Sequence, residues 1–212
     1  MKPFWKKVNR GLLLGAVLLV VLLVLIVVQT ISFRRAKPVI RQEVKDYVGD
    51  LLTVNYAVGD PVEPGSELTA AQKQQRRDDF EAFVKKYWHE VPEKEIREGG
   101  LVSVALSGES ATGLSSLRAE FENTLSGKQY PVEKLNLQIK DSDLSIRANG
   151  PGYAQVSISF SFSTVSGTVE TVRYGSLQLE FKRVKGEWKV IASAMNLFGD
   201  EEEFPVEMGG QA

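Results

Sequence analysis

The 212-residue chain contains no cysteine, one histidine and three methionines. The missing cysteines exclude disulfide frameworks, thiol nucleophiles and cysteine-ligated zinc or iron–sulfur sites. The lone His89, in Tyr87-Trp88-His89-Glu90-Val91-Pro92, opens like a zinc-protease helix but lacks the second histidine one turn later that completes the ligand pair. Its simpler reading is a helix-end histidine near the last carbonyls. No Gly-x-Ser-x-Gly elbow is present to build a serine triad around it. Gly108-Glu109-Ser110-Ala111-Thr112-Gly113 has the glycine spacing of a phosphate loop, but Leu114-Ser115 stands where Lys-Ser or Lys-Thr would reach the phosphates; we read a flexible connector. Asp141-Ser142-Asp143 lacks the glycine and later glutamate of a calcium loop and reads as a hairpin turn. No catalytic residue, metal ligand or cofactor site is therefore expected.

Acidic residues are missing from the first 37 positions, which hold seven basic ones: Lys2, Lys6, Lys7, Arg10, Arg34, Arg35 and Lys37. The other 175 residues carry 19 basic against 27 acidic groups, so the overall charge of −1 conceals a strongly negative remainder. That asymmetry argues against a nucleic-acid partner, because phosphate neutralisation needs clustered Lys and Arg on the folded part.

Charge is absent altogether between Gly11 and Phe33, where GLLLGAVLLVVLLVLIVV is followed by Gln29-Thr30-Ile31-Ser32-Phe33. About 20 residues at ~1.5 Å each cover a ~30 Å hydrocarbon core. The run, with Gly11, Leu12, Leu19 and Val28 along it, is read as a transmembrane anchor over residues 11–33. A cleavable signal peptide would have a shorter apolar core and a small-residue cleavage site, where this run ends in Ile31, Phe33 and Arg34-Arg35. Phe4, Trp5 and Phe33 stand where interfacial aromatics sit. Basic residues flank both ends, so orientation rests on the short, wholly basic amino-terminal flank. Residues 1–10 are expected in the cytoplasm, with the protein single-pass in the cell membrane and residues 34–198 an extracytoplasmic domain. Residues 199–212 read as an acidic tail.

Within the domain, Val39, Ile40, Val44, Tyr47, Val48, Leu51 and Leu52 recur every three or four residues, predicting a helix to about Tyr56. Gly59 to Gly65 is dense in turn formers. Ala71, Phe80, Phe83, Val84, Tyr87 and Trp88 mark a second amphipathic helix, from Glu67–Thr69 to near Pro92. Leu101–Leu106 is a strand candidate, and Leu114, Leu117, Phe121 and Leu125 a short helix closed by Gly127. The period then becomes two, through Leu135, Leu137 and Ile139, Leu144 and Ile146, and the strict alternation of Val156–Ser163. Val172 and Tyr174 fall out of phase with Leu177, Leu179 and Phe181, which predicts a bulge at Gly175-Ser176. Lys185-Gly186-Glu187 turns into a last strand from Trp188. The fold class is α+β, with helices packed on a curved antiparallel sheet.

Tyr47 and Leu51, Phe83 and Trp88, the strand Val156–Ser163 and the turn and strand Lys185-Gly186-Glu187-Trp188-Lys189-Val190-Ile191 follow an order that resembles the cone-shaped nuclear transport factor 2-like (SnoaL-like) superfamily. The resemblance covers residues 38–196. It implies helices on the concave side of a bent sheet with a cavity between them, in a family that holds both enzymes and non-enzymatic modules; fold does not choose among these. Its single-span members resemble subunits of conjugation and secretion channels. Tyr47, Phe83, Tyr87, Trp88, Phe160 and Phe162 are candidate cavity-lining residues, though core packing also accounts for them. Tyr47, Tyr56, Tyr87 and Glu120 are the only candidates for acid–base work. Ser157, Ser159, Ser161 and Ser163 form an uncharged strand face read as a candidate interface. The expected function is a non-enzymatic, membrane-anchored binding or assembly module, with other membrane or envelope proteins, or a second copy, as partners. The alternative is a membrane-tethered ligand-binding protein or enzyme using the cavity.

Overall fold

The computed structural model describes residues 10–91 and 113–199. The predicted strand Leu101–Leu106, most of the Gly108–Gly113 connector, Phe4 and Trp5, and the acidic tail beyond Gly199 lie outside the described residues. The chain divides into two compact units, Met1–Val39 and Ile40–Ala212.

Helix α1 (Arg10–Tyr56) crosses that division and continues through Pro38. An interior proline removes one backbone hydrogen bond and costs about 3 kcal/mol, which the helix-forming residues on either side outweigh. In the first unit α1 is apolar on every face: its best 18-residue window has a mean hydropathy of 3.0 and none of it is buried. Among the described residues it is the one helix long and apolar enough to cross a membrane. Leu14, Leu18, Leu19 and Leu22 are 59–65% exposed. Where the run ends, the Lys37 ammonium lies over the Phe33 ring, 5.6 Å from its centroid.

The second unit is α+β. A five-stranded antiparallel sheet is built on β5 (Tyr153–Ser166), which pairs along its whole length with β6 (Val169–Val184). On its other edge β5 pairs with β4 (Leu144–Ala148) through its first half and β3 (Lys134–Gln138) through its second. Strand β7 (Glu187–Phe198) extends the sheet beyond β6. The sheet is curved, and its register slips once, where Glu180 pairs with Ala192 but Phe181 with Val190, leaving Ile191 as the extra residue. The bulge is therefore not at Gly175, which keeps regular pairing with Phe160. The glycine serves close approach instead: a Cβ there would lie 2.4 Å from Phe160 Cζ. Val172 and Tyr174 look out of phase because they belong to the opposite face, with Val172 exposed.

Three helical segments bury their stripes with the sheet's apolar face. From α1, Ile40, Val44, Tyr47, Val48, Leu51 and Leu52 are 0–2% exposed, whereas Val39, predicted in the same stripe, is exposed at the unit boundary. Helix α2 (Ala70–Tyr87) starts at a capping box, with the Thr69 backbone N–H donating to Gln72 Oε1 and the Gln72 N–H to Thr69 Oγ1. Ahead of it, Ser66–Glu67 (β1) pairs with Lys128–Gln129 (β2), and buried Arg76 donates to Asp60 and to Gln129. Helix α2 ends at Tyr87, short of the predicted Pro92. Trp88 turns extended, bridges to Val190 of β7 in parallel, and the His89 N–H donates to the Val190 carbonyl. A strand partner replaces the last helical turn, so His89 stands past the helix end instead of capping it.

Helix α3 (Leu114–Thr124) packs against α2 through Phe80 and Phe121, whose rings stack 4.1 Å apart at 7°. Two bidentate ion pairs flank the stack: Arg77 with Glu122 at 2.8 Å, and Arg118 with Glu81 at 3.0 Å. Asp141, in the turn once weighed as a calcium loop, instead accepts from Lys45 at 2.7 Å, with Arg41 nearby at 3.7 Å. These cations hold its carboxyl below the usual range.

Candidate functional site

The six aromatic cavity candidates come together, but as packing. Tyr47, Phe83, Tyr87, Trp88, Phe160 and Phe162 are all buried. Tyr47 is 5.2 Å from Phe83 and 5.3 Å from Tyr87, ring to ring, and Phe162 is 5.4 Å from Tyr56. Such tilted and edge-on pairs contribute beyond their buried area.

A cleft of about 260 Å3 opens between the last turns of α1, α3 and strands β6–β7. Leu51, Leu117, Phe121, Leu177 and Met195 give it apolar walls, and Asn55, Glu120, Thr124 and Ser193 bring polar groups. None of the six predicted aromatics lines it. Only Glu120, of the four acid–base candidates, does so, as an exposed carboxylate on α3. The others are committed elsewhere. Tyr56 accepts a hydrogen bond from Arg173, which also lies over its ring. The Tyr87 hydroxyl donates to Asp50 Oδ2 at 2.7 Å, and Lys86 donates to the same oxygen. Burial first, then its hydrogen bond to Asp50, against the opposing pull of Lys86, push the Tyr87 hydroxyl up to about 12, so it stays protonated. The Tyr47 hydroxyl is buried beside Trp88 and Ser193 without a well-formed hydrogen bond, and burial raises its pKa as well.

The serine face is assembled by cross-strand register. Ser163 pairs with Asn136 and Val172; Ser161 with Gln138 and Tyr174; Ser159 with Ser176; Ser157 with Ser145 and Gln178. Four consecutive rows thus carry no charge. Asn136 Nδ2 donates to Ser163 Oγ at 3.3 Å, across the first of these rows. Charge returns in the next row, Arg147–Gln155–Glu180. There Glu180 is only 4% exposed. Its Oε1 accepts from Asn149 Nδ2 at 3.0 Å, its Oε2 has no partner among the described residues, and burial raises its pKa to about 7. Alternation alone marks Glu180 as a solvent-facing polar residue, so its burial was not foreseeable.

No group of three or more His, Cys, Asp or Glu side chains suited to a metal occurs among the described residues. No protein-family model matches the chain, and no curated protein matches it.

Proposed function

We propose that the protein is a single-pass membrane protein whose α+β unit, a nuclear transport factor 2-like cone, is an extracytoplasmic, non-enzymatic binding or assembly module. The observation that carries this reading is the uncharged sheet face: four rows of Ser, Asn, Gln and Tyr side chains and the exposed Val172, with neither Lys nor Glu among them. A solvated face of this size usually carries charge, whereas a face that meets a partner loses it, because unpaired charge is costly to desolvate. The anchor supports the same reading by confining the module to a surface, where weak contacts suffice at high effective concentration. The partner is a second copy or another membrane or envelope protein, as in conjugation and secretion channels. Photo-cross-linking from position 159 in cells tests it, alongside a Ser159→Lys/Ser161→Lys variant. The expected outcome is a discrete membrane complex in mild detergent that the lysines dissolve; a chain that stays alone, or a complex indifferent to the lysines, refutes it. Protease added to intact cells or spheroplasts should digest the domain, and protection would reverse the topology. A second reading, small-ligand binding, is favoured by the cleft.

A further inference from the structure

We infer that the cleft between α1, α3 and β6–β7 is a binding site for a small organic cation: an amine carried on a single ring or a short branched apolar body. The inference rests on the ligand-binding reading of the cleft and is independent of the sheet-face reading.

Size sets the body. At about 260 Å3 the cleft exceeds the roughly 150 Å3 apolar cavity that admits benzene. It falls just under the ~300 Å3 at which pockets for drug-sized ligands begin. One ring with a short arm fits that range; a fused polycycle or a nucleotide does not. The walls agree, since Leu51, Leu117, Phe121, Leu177 and Met195 offer aliphatic, aromatic and thioether surface. A flexible methionine beside fixed leucines suits a site that must close around an irregular body.

Polarity sets the head. Among the described residues Glu120 is the only charged side chain lining the cleft, and none of them pairs with it or hydrogen-bonds to it. Other carboxylates along these helices are taken: Glu81 and Glu122 by arginines, Asp50 by Lys86 and Tyr87. Asn55, on the facing helix, likewise has no partner among the described residues and offers both a donor and an acceptor. Thr124 is less available, because its hydroxyl donates to the Phe121 carbonyl at 2.7 Å. A ligand ammonium finds its counter-charge in Glu120 and a further polar group in Asn55, both in the lining, while its body meets the apolar walls. A carboxylate or phosphate head meets repulsion from Glu120, with no compensating cation among the described lining residues.

The test uses the full-length chain in neutral-lipid nanodiscs with isotope-labelled methionine methyl groups. Met195 lies in the cleft, and Met1 and Met208 are the only others. Three probes share one phenyl body: phenethylamine, phenethyl alcohol and hydrocinnamate. The Met195 methyl should shift with phenethylamine at an affinity about fivefold above the alcohol, the scale of one rim ion pair, with hydrocinnamate weakest. Glu120→Gln should erase that ranking. Leu117→Trp, checked for folding by circular dichroism, should abolish every shift. If no probe moves Met195, ligand binding by the cleft fails altogether. If the probes bind without preference for the amine, or the preference survives Glu120→Gln, the cationic class fails while ligand binding stands.

Discussion

Helix α1 presents two apolar stretches, one on each side of Pro38, that solve opposite problems. Between Leu13 and Val28 nearly every position is apolar and every side chain is exposed. Between Ile40 and Leu52 the apolar residues keep to one stripe, and that stripe is fully buried, with Gln42, Lys45 and Asp46 interleaved. Apolar content alone does not separate them; periodicity does. A stripe describes a helix with water on one side, and its loss is the pattern of a helix able to cross a membrane.

The comparison breaks most severely at a single buried position. Val44→Asp places a charge where no partner waits, so urea titration should show the domain destabilised by about 4 kcal/mol, with membrane association intact. Leu19→Arg is the reciprocal experiment. Mid-span arginine costs about 3 kcal/mol of insertion, so alkaline extraction should release more of the variant while the domain's urea midpoint stays put; equal effects from both substitutions would show that the two stretches are not separate environments.

Glu180 sharpens the contrast, because a protein interior can neutralise an acid by holding its proton. Its folded pKa of about 7 exceeds the ordinary 4.5, so the folded state binds the proton more tightly than the unfolded state does. Stability from this residue is fully present below pH 4.5 and is lost as pH rises to about 7. Glu180→Gln should therefore be more stable than the parent at pH 8 by about 2 kcal/mol, and flatten the pH dependence in that window. The smallest effect belongs to the surface: Arg118→Ala, on a half-exposed pair, should cost about 0.5 kcal/mol and less at high salt.

Periodicity made much of the second unit readable. The stripe of α1, the start of α2 near Thr69, the Leu114–Phe121 helix and the alternation of β5 all reflect local physics, and each stands near its expected bounds. The end of α2 was not readable, because Trp88 is drawn out of the helix by Val190, about a hundred positions along the chain. The bulge was misplaced for a related reason: a change of phase at Gly175 looks the same whether the backbone slips or the apolar residues change faces. The cleft was out of reach too. Its walls come from Leu51, Leu117, Leu177 and Ser193, four elements whose spacing in sequence says nothing of the gap between them. Glu120 was one of four acid–base candidates, and no periodicity placed any of the four in a cavity.

The paired arginines and glutamates of α2 and α3 have a consequence for how the two helices find one another. Arg77 and Glu81 are four apart, as are Arg118 and Glu122, and each arginine faces a glutamate in antiparallel order. Slide one helix by a single turn and arginine meets arginine, or glutamate meets glutamate. The charges then act as a vernier: they add little to the depth of the native minimum but raise the neighbouring ones, so the Phe80–Phe121 stack closes in one register and misaligned dockings reopen.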